Sequence, residues 1–176
     1  MKRLAPDEVI LGLLMVQPTH GYELLERFKS NADLGRIWNM STSQIYAVLK
    51  RLEEGGLVEG SYVEGHDAPS RKEFAITGLG EKQLLEWLND PNPPTSIHRI
   101  RVMFLSRLYI GNLLNHPMGQ IIDAQIRVCE RQKANLQGKQ EQSTAEIETL
   151  AMRYIIGQLD AALEWLSEVR SHYQPT

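Results

Sequence analysis

Apolar positions along this chain fall into helical stripes, interrupted once by two short alternating runs. Val9, Ile10, Leu13 and Leu14 repeat at i, i+1, i+4, i+5, the core face of a helix. Pro6-Asp7-Glu8 opens that helix and Gln17-Pro18-Thr19 breaks it. His20 to Leu25 opens a second helix, with Tyr22, Leu25 and Phe28 expected on one side, and Asn31 to Gly35 is a connector. Ile45, Val48, Leu49 and Leu52 recur at i, i+3, i+4, i+7 and define the buried stripe of a third helix. Leu57 to Val63 then reads as a strand. After the turn-rich Gly65-His66-Asp67-Ala68-Pro69-Ser70, Arg71 to Ile76 reads as another, with Phe74 and Ile76 alternating against Glu73 and Ala75. Thr77 is a fitting N-cap for a helix carrying Leu84, Leu85, Trp87 and Leu88, which Pro91 stops.

The third helix is the most sharply specified. Ser41 followed by Gln44 is a capping box, and Met40 and Ile45 sit at the positions of a hydrophobic staple. Gly55-Gly56 ends the helix, because glycine tolerates a left-handed C′. Opposite the apolar stripe lie Ser43, Tyr46, Ala47 and Lys50, flanked by Gln44 and Arg51, with no acid before Glu53. A face meant only for solvent usually mixes both charge signs. This one suits an approach to phosphates and base edges. Helix, Gly-Gly, strand, basic-ended loop and strand is the layout of a helix-turn-helix with a β-hairpin wing, and Trp38 is expected in its core.

Asp90-Pro91-Asn92-Pro93-Pro94-Thr95-Ser96 cannot continue a helix and makes a stiff spacer. Beyond it the chain reads as nearly all helix. Ile97 to Leu114 carries Ile100, Met103, Phe104 and Leu108. From Met118, Ile122, Cys129 and Leu136 repeat every seven residues, Ser143 interrupts and Leu150 resumes, a sparse seam for packing on another helix. Gly138 to Thr144 reads as a reverse turn or a polar stretch of helix. A last helix from about Ala145 to His172 is apolar on two sides: Ile155, Leu159, Ala162, Leu166 and Val169 on one, Tyr154, Ala161 and Trp165 on the other. So broad a band needs more cover than a small domain supplies, and a second chain is the expected cover. The expected fold is therefore mainly α with a small β-hairpin wing. Residues 1–90 form a winged helix-turn-helix DNA-binding domain, 91–96 a Pro-rich linker and 97–176 a helical dimerisation domain.

Composition qualifies this picture. The chain has 176 residues and a formal net charge of −3. Residues 1–90 hold 10 Lys and Arg against 14 Asp and Glu, and residues 91–176 hold 9 against 8. The half expected to bind DNA is the acidic half, so its positive charge has to be local, at Lys50, Arg51, Arg71 and Lys72. One cysteine, Cys129, rules out an internal disulfide and fits a reducing cytoplasm. Met1-Lys2-Arg3 is followed by Pro6-Asp7-Glu8, not by the apolar run of a secretory leader, and the apolar stretch Val9 to Val16 is too short to span a membrane. A cytoplasmic protein with no membrane partner is expected.

The assembled segments resemble the PadR family of transcriptional regulators. The resemblance rests on His20-Gly21-Tyr22-Glu23-Leu24, then Ile45-Tyr46 and Leu49, then Arg51-Leu52-Glu53-Glu54-Gly55-Gly56-Leu57-Val58, then Arg71-Lys72 before Phe74, and Thr77 with Gly80. It covers roughly residues 8–90, and residues 97–176 look like the long helical C-terminal domain of the larger members. The resemblance implies a homodimeric winged-helix repressor, often released by a small molecule. Two positions depart from the family pattern: Ala47 stands where a proline is common, and Glu73 where a second wing aromatic is usual.

The functional expectation is a sequence-specific regulator that binds a palindromic operator in double-stranded DNA. Thr42, Ser43, Gln44, Tyr46, Lys50 and Arg51 would meet the DNA from the third helix, with Arg71 and Lys72 bracing the wing on the backbone. Trp87, His98, Arg99, Met103, Phe104 and Tyr109 are candidate residues for a small aromatic effector, although packing in the core or interface is the favoured reading of each one singly. An interaction adaptor that kept the fold and lost DNA binding is the rival, and the acidic first half favours it. No enzyme, cofactor or metal is expected. The five histidines form no HExxH, the glycines match neither a phosphate loop nor GxGxxG, and Ser41 is occupied as a cap.

Overall fold

The computed structural model describes residues 4–63 and 71–173. The expected turn at Gly65 to Ser70 lies outside them. The chain divides into two compact units, Met1–Leu88 with Tyr109–His116, and Asn89–Leu108 with Pro117–Thr176.

In the first unit, helices α1 (Asp7–Val16), α2 (Gly21–Lys29), α3 (Thr42–Glu54) and α4 (Gly78–Leu88) surround a small sheet. Val9, Ile10, Leu11, Leu13 and Leu14 of α1, Leu24, Leu25 and Phe28 of α2, and Ile45, Val48, Leu49 and Leu52 of α3 are buried together with Leu34 and Trp38. Strands β2 (Val58–Val63) and β3 (Arg71–Ile76) pair antiparallel, with Gly60 opposite Phe74 and Tyr62 opposite Lys72. The sheet has a third strand that the sequence pattern hid. Thr19–His20 forms β1 and pairs with β3 at Phe74 and Glu73, giving the order β1-β3-β2. Two residues are too few to show an alternating pattern. Tyr22 also departs from expectation. The buried side of α2 is Gly21, Leu24, Leu25 and Phe28, and Tyr22 faces outward.

The ends of α3 follow the expected chemistry. The Ser41 hydroxyl accepts from the Gln44 amide at 3.3 Å, and the Ser41 amide donates to Gln44 Oε1 at 2.8 Å. At the other end Gly56 has φ +67°, its amide donates to Glu53 O at 2.9 Å, and Leu57 N donates to Leu52 O at 2.9 Å. That pair of bonds is a Schellman turn. It sends the chain directly into β2. Thr77 then closes the wing onto the turn: its hydroxyl donates to Gly56 O at 2.7 Å and accepts from Gly80 N at 3.2 Å.

In the second unit, α5 (Ile97–Arg99), a π turn (Ile100–Phe104) and the start of α6 (Leu105–Leu113) run on continuously, and α7 (Met118–Gln142) and α8 (Glu146–Tyr173) form a hairpin. The π turn is a single wide turn inside what the periodicity reads as one helix. Ile121, Ile122, Val128 and Cys129 of α7 meet Met152, Leu159, Ala162 and Leu166 of α8 as the core. Lys133–Asp160 at 2.5 Å and Arg170–Asp123 at 3.2 Å bridge the two helices. The turn between them is confined to Ser143–Ala145, so most of Gly138 to Thr144 is helix. Ile155, expected on the buried side of α8, is exposed, as are Ile147, Leu150 and Tyr154. Cys129 is buried, and its burial pushes the thiol pKa up, so it is a packing residue. The proline segment is anchored within this unit: Gln125 Nε2 donates to Pro94 O at 3.0 Å, Arg107 to Asp90 at 3.0 Å and Arg131 to Asn92 at 3.0 Å.

Gly80 offers a clear stability test. A Cβ there would overlap the carbonyl oxygen of Leu57, which is backbone and cannot turn away. Gly80→Ala is expected to cost about 1–3 kcal/mol, the usual range for overpacking. Urea denaturation should show the midpoint falling with the slope unchanged.

Candidate nucleic-acid interface

Burying Ile45, Val48, Leu49 and Leu52 leaves one face of α3 for the outside. Thr42, Ser43, Gln44, Tyr46, Lys50 and Arg51 are all on it and all exposed. No acid stands in the first turn of α3. The Lys50 side chain is 77% exposed, with Glu54 3.8 Å away as a loose i,i+4 partner. A pair so exposed holds the ammonium weakly. Gln44 is engaged in the cap, and Ser43 Oγ lies 3.1 Å from Ser41 Oγ.

Tyr46 stands against α2. A Cβ on Gly21 would lie 2.8 Å from Tyr46 Cε1, so the missing side chain is what lets this ring lie against the start of α2. Beside it a cleft of about 640 Å3 opens, bounded by Tyr22, Tyr46, Lys50, Glu53, Arg71 and Lys72. Thus α3, the first turn of α2 and β3 share one surface. The residues expected to touch DNA from the helix and from the wing meet on it.

The two wing cations differ. Arg71 is exposed, its guanidinium 5.5 Å from the centre of the Tyr22 ring, with Nη1 3.5 Å from the Tyr22 hydroxyl. Tyr22 stacks in turn on His20 at 5.7 Å and an interplanar angle of 10°. The guanidinium is therefore supported on a flat ring while keeping donors for another acceptor. Lys72 is bound inward, 2.7 Å from Glu53 Oε2. Arg51 likewise has a carboxylate: its Nε donates to Asp7 Oδ2 at 3.2 Å, and its Nη2 bonds the other oxygen. Of the four cations on which local positive charge depends, Lys50 and Arg71 are the least neutralised by carboxylates among the described residues.

Sequence reasoning gave His20 and Glu23 a capping or packing role at the start of α2, which the structure bears out, but missed the wider polar network there. Glu23 accepts from the Thr19 hydroxyl, from the His20 amide at 3.2 Å and from the Tyr22 hydroxyl at 3.2 Å. His20 Nδ1 lies 3.1 Å from Lys72 O, joining that network to β3. The visible signal was Glu23 at the third position after His20, a helix-start spacing. Its partner Thr19 stood in the segment read as a breaker.

The six effector candidates divide between the units. Trp87 and Tyr109 belong to the first, and His98, Arg99, Met103 and Phe104 to the second. Trp87 is buried, and the Tyr109 hydroxyl donates to Asp33 Oδ1 at 3.0 Å. Burial, with that bond, pushes the Tyr109 phenol pKa up. In the second unit His98 is exposed, Arg99 and Met103 are half-buried, and Phe104 is buried with Trp165 edge-on at 5.7 Å. Among the described residues no group of three or more His, Cys, Asp or Glu is placed to hold a metal, and no helix is long and apolar enough to cross a membrane.

The first unit is thus a winged helix-turn-helix with a cation-bearing recognition face. Residues 10–86, a little under half of the chain, match the transcriptional regulator PadR-like family. It is 34% identical over 92 residues to the probable transcriptional regulator Rv1176c of Mycobacterium tuberculosis, a match that takes in 52% of this chain and 48%, about half, of that protein. It is 29% identical over 146 residues to the negative transcriptional regulator PadR of Bacillus subtilis, covering 81% of this chain and 76% of that one. Among solved structures, Bacillus subtilis PadR in complex with operator DNA aligns over 96% of this chain and 98% of its own, at 22% identity and a TM-score of 0.47.

The Glu23 network has a pH signature. Its hydrogen bonds, the one from Thr19 foremost, hold the Glu23 carboxyl below its ordinary value of 4.5. A depressed carboxyl contributes stability above the unfolded pKa and loses it as pH falls through the folded one. Thr19→Val is therefore expected to flatten the loss of stability between about pH 5 and pH 3 relative to wild type, and to destabilise the protein at neutral pH. Urea midpoints across that range check it.

Proposed function

We propose that the protein is a sequence-specific DNA-binding repressor acting as a homodimer. The observation that carries this reading is the outward face of α3. Thr42, Ser43, Gln44, Tyr46 and Lys50 are presented together, free of acids, from a helix capped at both ends. In the proposed docking α3 enters the major groove by its N-terminal end. Thr42, Ser43, Gln44 and Tyr46 reach base edges and sugars, Lys50 and Arg71 meet phosphates, Arg51 adds charge at the rim and Lys72 braces the wing. Residues 1–90 serve as the DNA-binding domain, 91–96 as the linker and 97–176 as the dimerisation domain. The relative from Bacillus subtilis, a negative transcriptional regulator, supports repression. The exposed Ile147, Leu150, Tyr154 and Ile155 of α8 support a second copy as cover. Two-fold symmetry then implies a palindromic operator in double-stranded DNA, with half-sites about one or two turns apart. A small aromatic effector would release the operator by preferring the DNA-incompetent arrangement. The protein works in the cytoplasm without cofactor or metal. A second reading, an adaptor without DNA binding, has the carboxylate partners of Arg51 and Lys72 in its favour.

Titration of the gene's own upstream region separates the two. Lys50→Ala and Arg71→Ala are each expected to weaken binding and to flatten the slope of log K against log salt by about 0.9. Unchanged slopes in both variants would remove the proposed docking face. For assembly, the full chain is expected to sediment as a dimer at micromolar concentration, and a chain lacking residues 145–176 as a monomer or an aggregate. A monomeric full-length protein would contradict the dimer.

A further inference from the structure

Lys72 faces the recognition helix. Its Nζ lies 2.7 Å from Glu53 Oε2 in the last turn of α3 and 5.2 Å from the centre of the buried Phe74 ring. The two charged side chains are only 32% and 34% exposed. Gly60 makes the path possible. It pairs with Phe74 while Tyr62 pairs with Lys72, so Gly60 and Lys72 are diagonal neighbours on one face of the hairpin. A Cβ on Gly60 would overlap Lys72 Cε and lie 2.8 Å from Glu53 Oε1. The lysine stem therefore crosses β2 through the space a side chain would fill.

The place of this contact matters mechanically. Strand β1 pairs with β3 at Glu73 and Phe74, and beyond that pairing His20 Nδ1 lies 3.1 Å from Lys72 O. Outward from there, Val63 pairs with Arg71 and Tyr62 with Lys72 in a two-stranded ribbon. Such ribbons are marginally stable on their own. The Lys72–Glu53 pair joins that outer part to α3 two residues before Phe74, and Arg71 is the next residue out.

We infer that Lys72, Glu53 and Gly60 form a tether that sets the wing against the recognition helix, and that Lys72 is a positioning residue for DNA binding instead of a phosphate contact. The inference rests on the DNA-binding reading and refines it. It also inverts what charge alone implies. If Glu53 merely competed with phosphate for Lys72, neutralising Glu53 would strengthen binding. If the pair orients the wing, neutralising it weakens specific binding although an opposing charge has gone.

Gly60→Ala breaks the tether without changing any charge. The backbone at Gly60 is outside the left-handed region, so alanine is tolerated there and only the ends of the flexible Lys72 and Glu53 side chains have to move. The full-length wild type, Gly60→Ala, Glu53→Gln, Lys72→Met and the double variant Gly60→Ala/Lys72→Met are titrated against the upstream duplex and a scrambled duplex. Each single change is expected to lower affinity for the upstream duplex about two- to fivefold, the scale of a partly exposed ion pair. The double variant should be no worse than the weaker single one, and Lys72→Met should keep the wild-type salt slope. Tighter binding by Gly60→Ala or Glu53→Gln, or a slope flattened by about 0.9 in Lys72→Met, overturns the inference and makes Lys72 a phosphate contact. Amide hydrogen exchange in the DNA-free protein reads the tether separately. Exchange at residues 58–62 and 71–73 should quicken in all three single variants, and wild-type exchange rates overturn the tether. Failure of wild type itself to prefer the upstream duplex counts against the DNA-binding reading, and the exchange rates then decide the tether alone.

Discussion

The seating of α3 is the constraint on which the rest of the first unit depends. Ile45, Val48, Leu49 and Leu52 fix its rotation by burial, and rotation decides which residues face out. A rotation by one residue, about 100°, in the sense that buries Tyr46 would expose Val48. The Ser41 cap and the Schellman turn at Gly56 fix its ends. Because Leu57 leaves that turn directly into β2, the direction of the wing follows from the end of the helix. Gly21 adds a steric requirement from α2, since any side chain there would meet Tyr46.

Charge is arranged locally on this frame. The first half of the chain is acidic, yet Asp7 and Glu53 face cations of the same unit, and Glu23 is satisfied by hydroxyl and amide donors. Lys50 and Arg71 are left with most of their charge on the recognition surface. At physiological salt, fields are screened beyond about 8 Å, so nearby cations outweigh the sum over the domain. Arg71 gains orientation from Tyr22, and Lys72 gives its charge to holding the wing. Two adjacent basic residues in sequence thus take different parts in the fold.

The helices and their caps were legible in the sequence because their signals are local. The 3.6-residue stripes, the Ser41–Gln44 spacing and the Gly55-Gly56 stop each lie within a few turns of chain, and the bounds of β3 were plain from its alternation. What stayed hidden depends on distant partners. Strand β1 exists because β3 offers it two pairing positions, which nothing within Thr19-His20 announces. Tyr22 reads as apolar core by spacing, but the ring lies over His20 and under Arg71, residues 2 and 49 positions away. Lys72 and Glu53 are 19 residues apart and appear as independent surface charges until Gly60 is seen to make room between them. For the interface, the helix face was readable, whereas the division of work among its cations was not.

In the proposed docking, DNA is met on the outward face of α3. Amide and side-chain chemical-shift mapping of the full-length protein, with and without a duplex from its own upstream region, tests this most directly. Saturable shifts concentrated at Thr42 to Lys50 and at Arg71, absent with a scrambled duplex at the same salt, are the expected result. Shifts that leave residues 42–50 untouched, or that gather instead on the exposed face of α8, would contradict it.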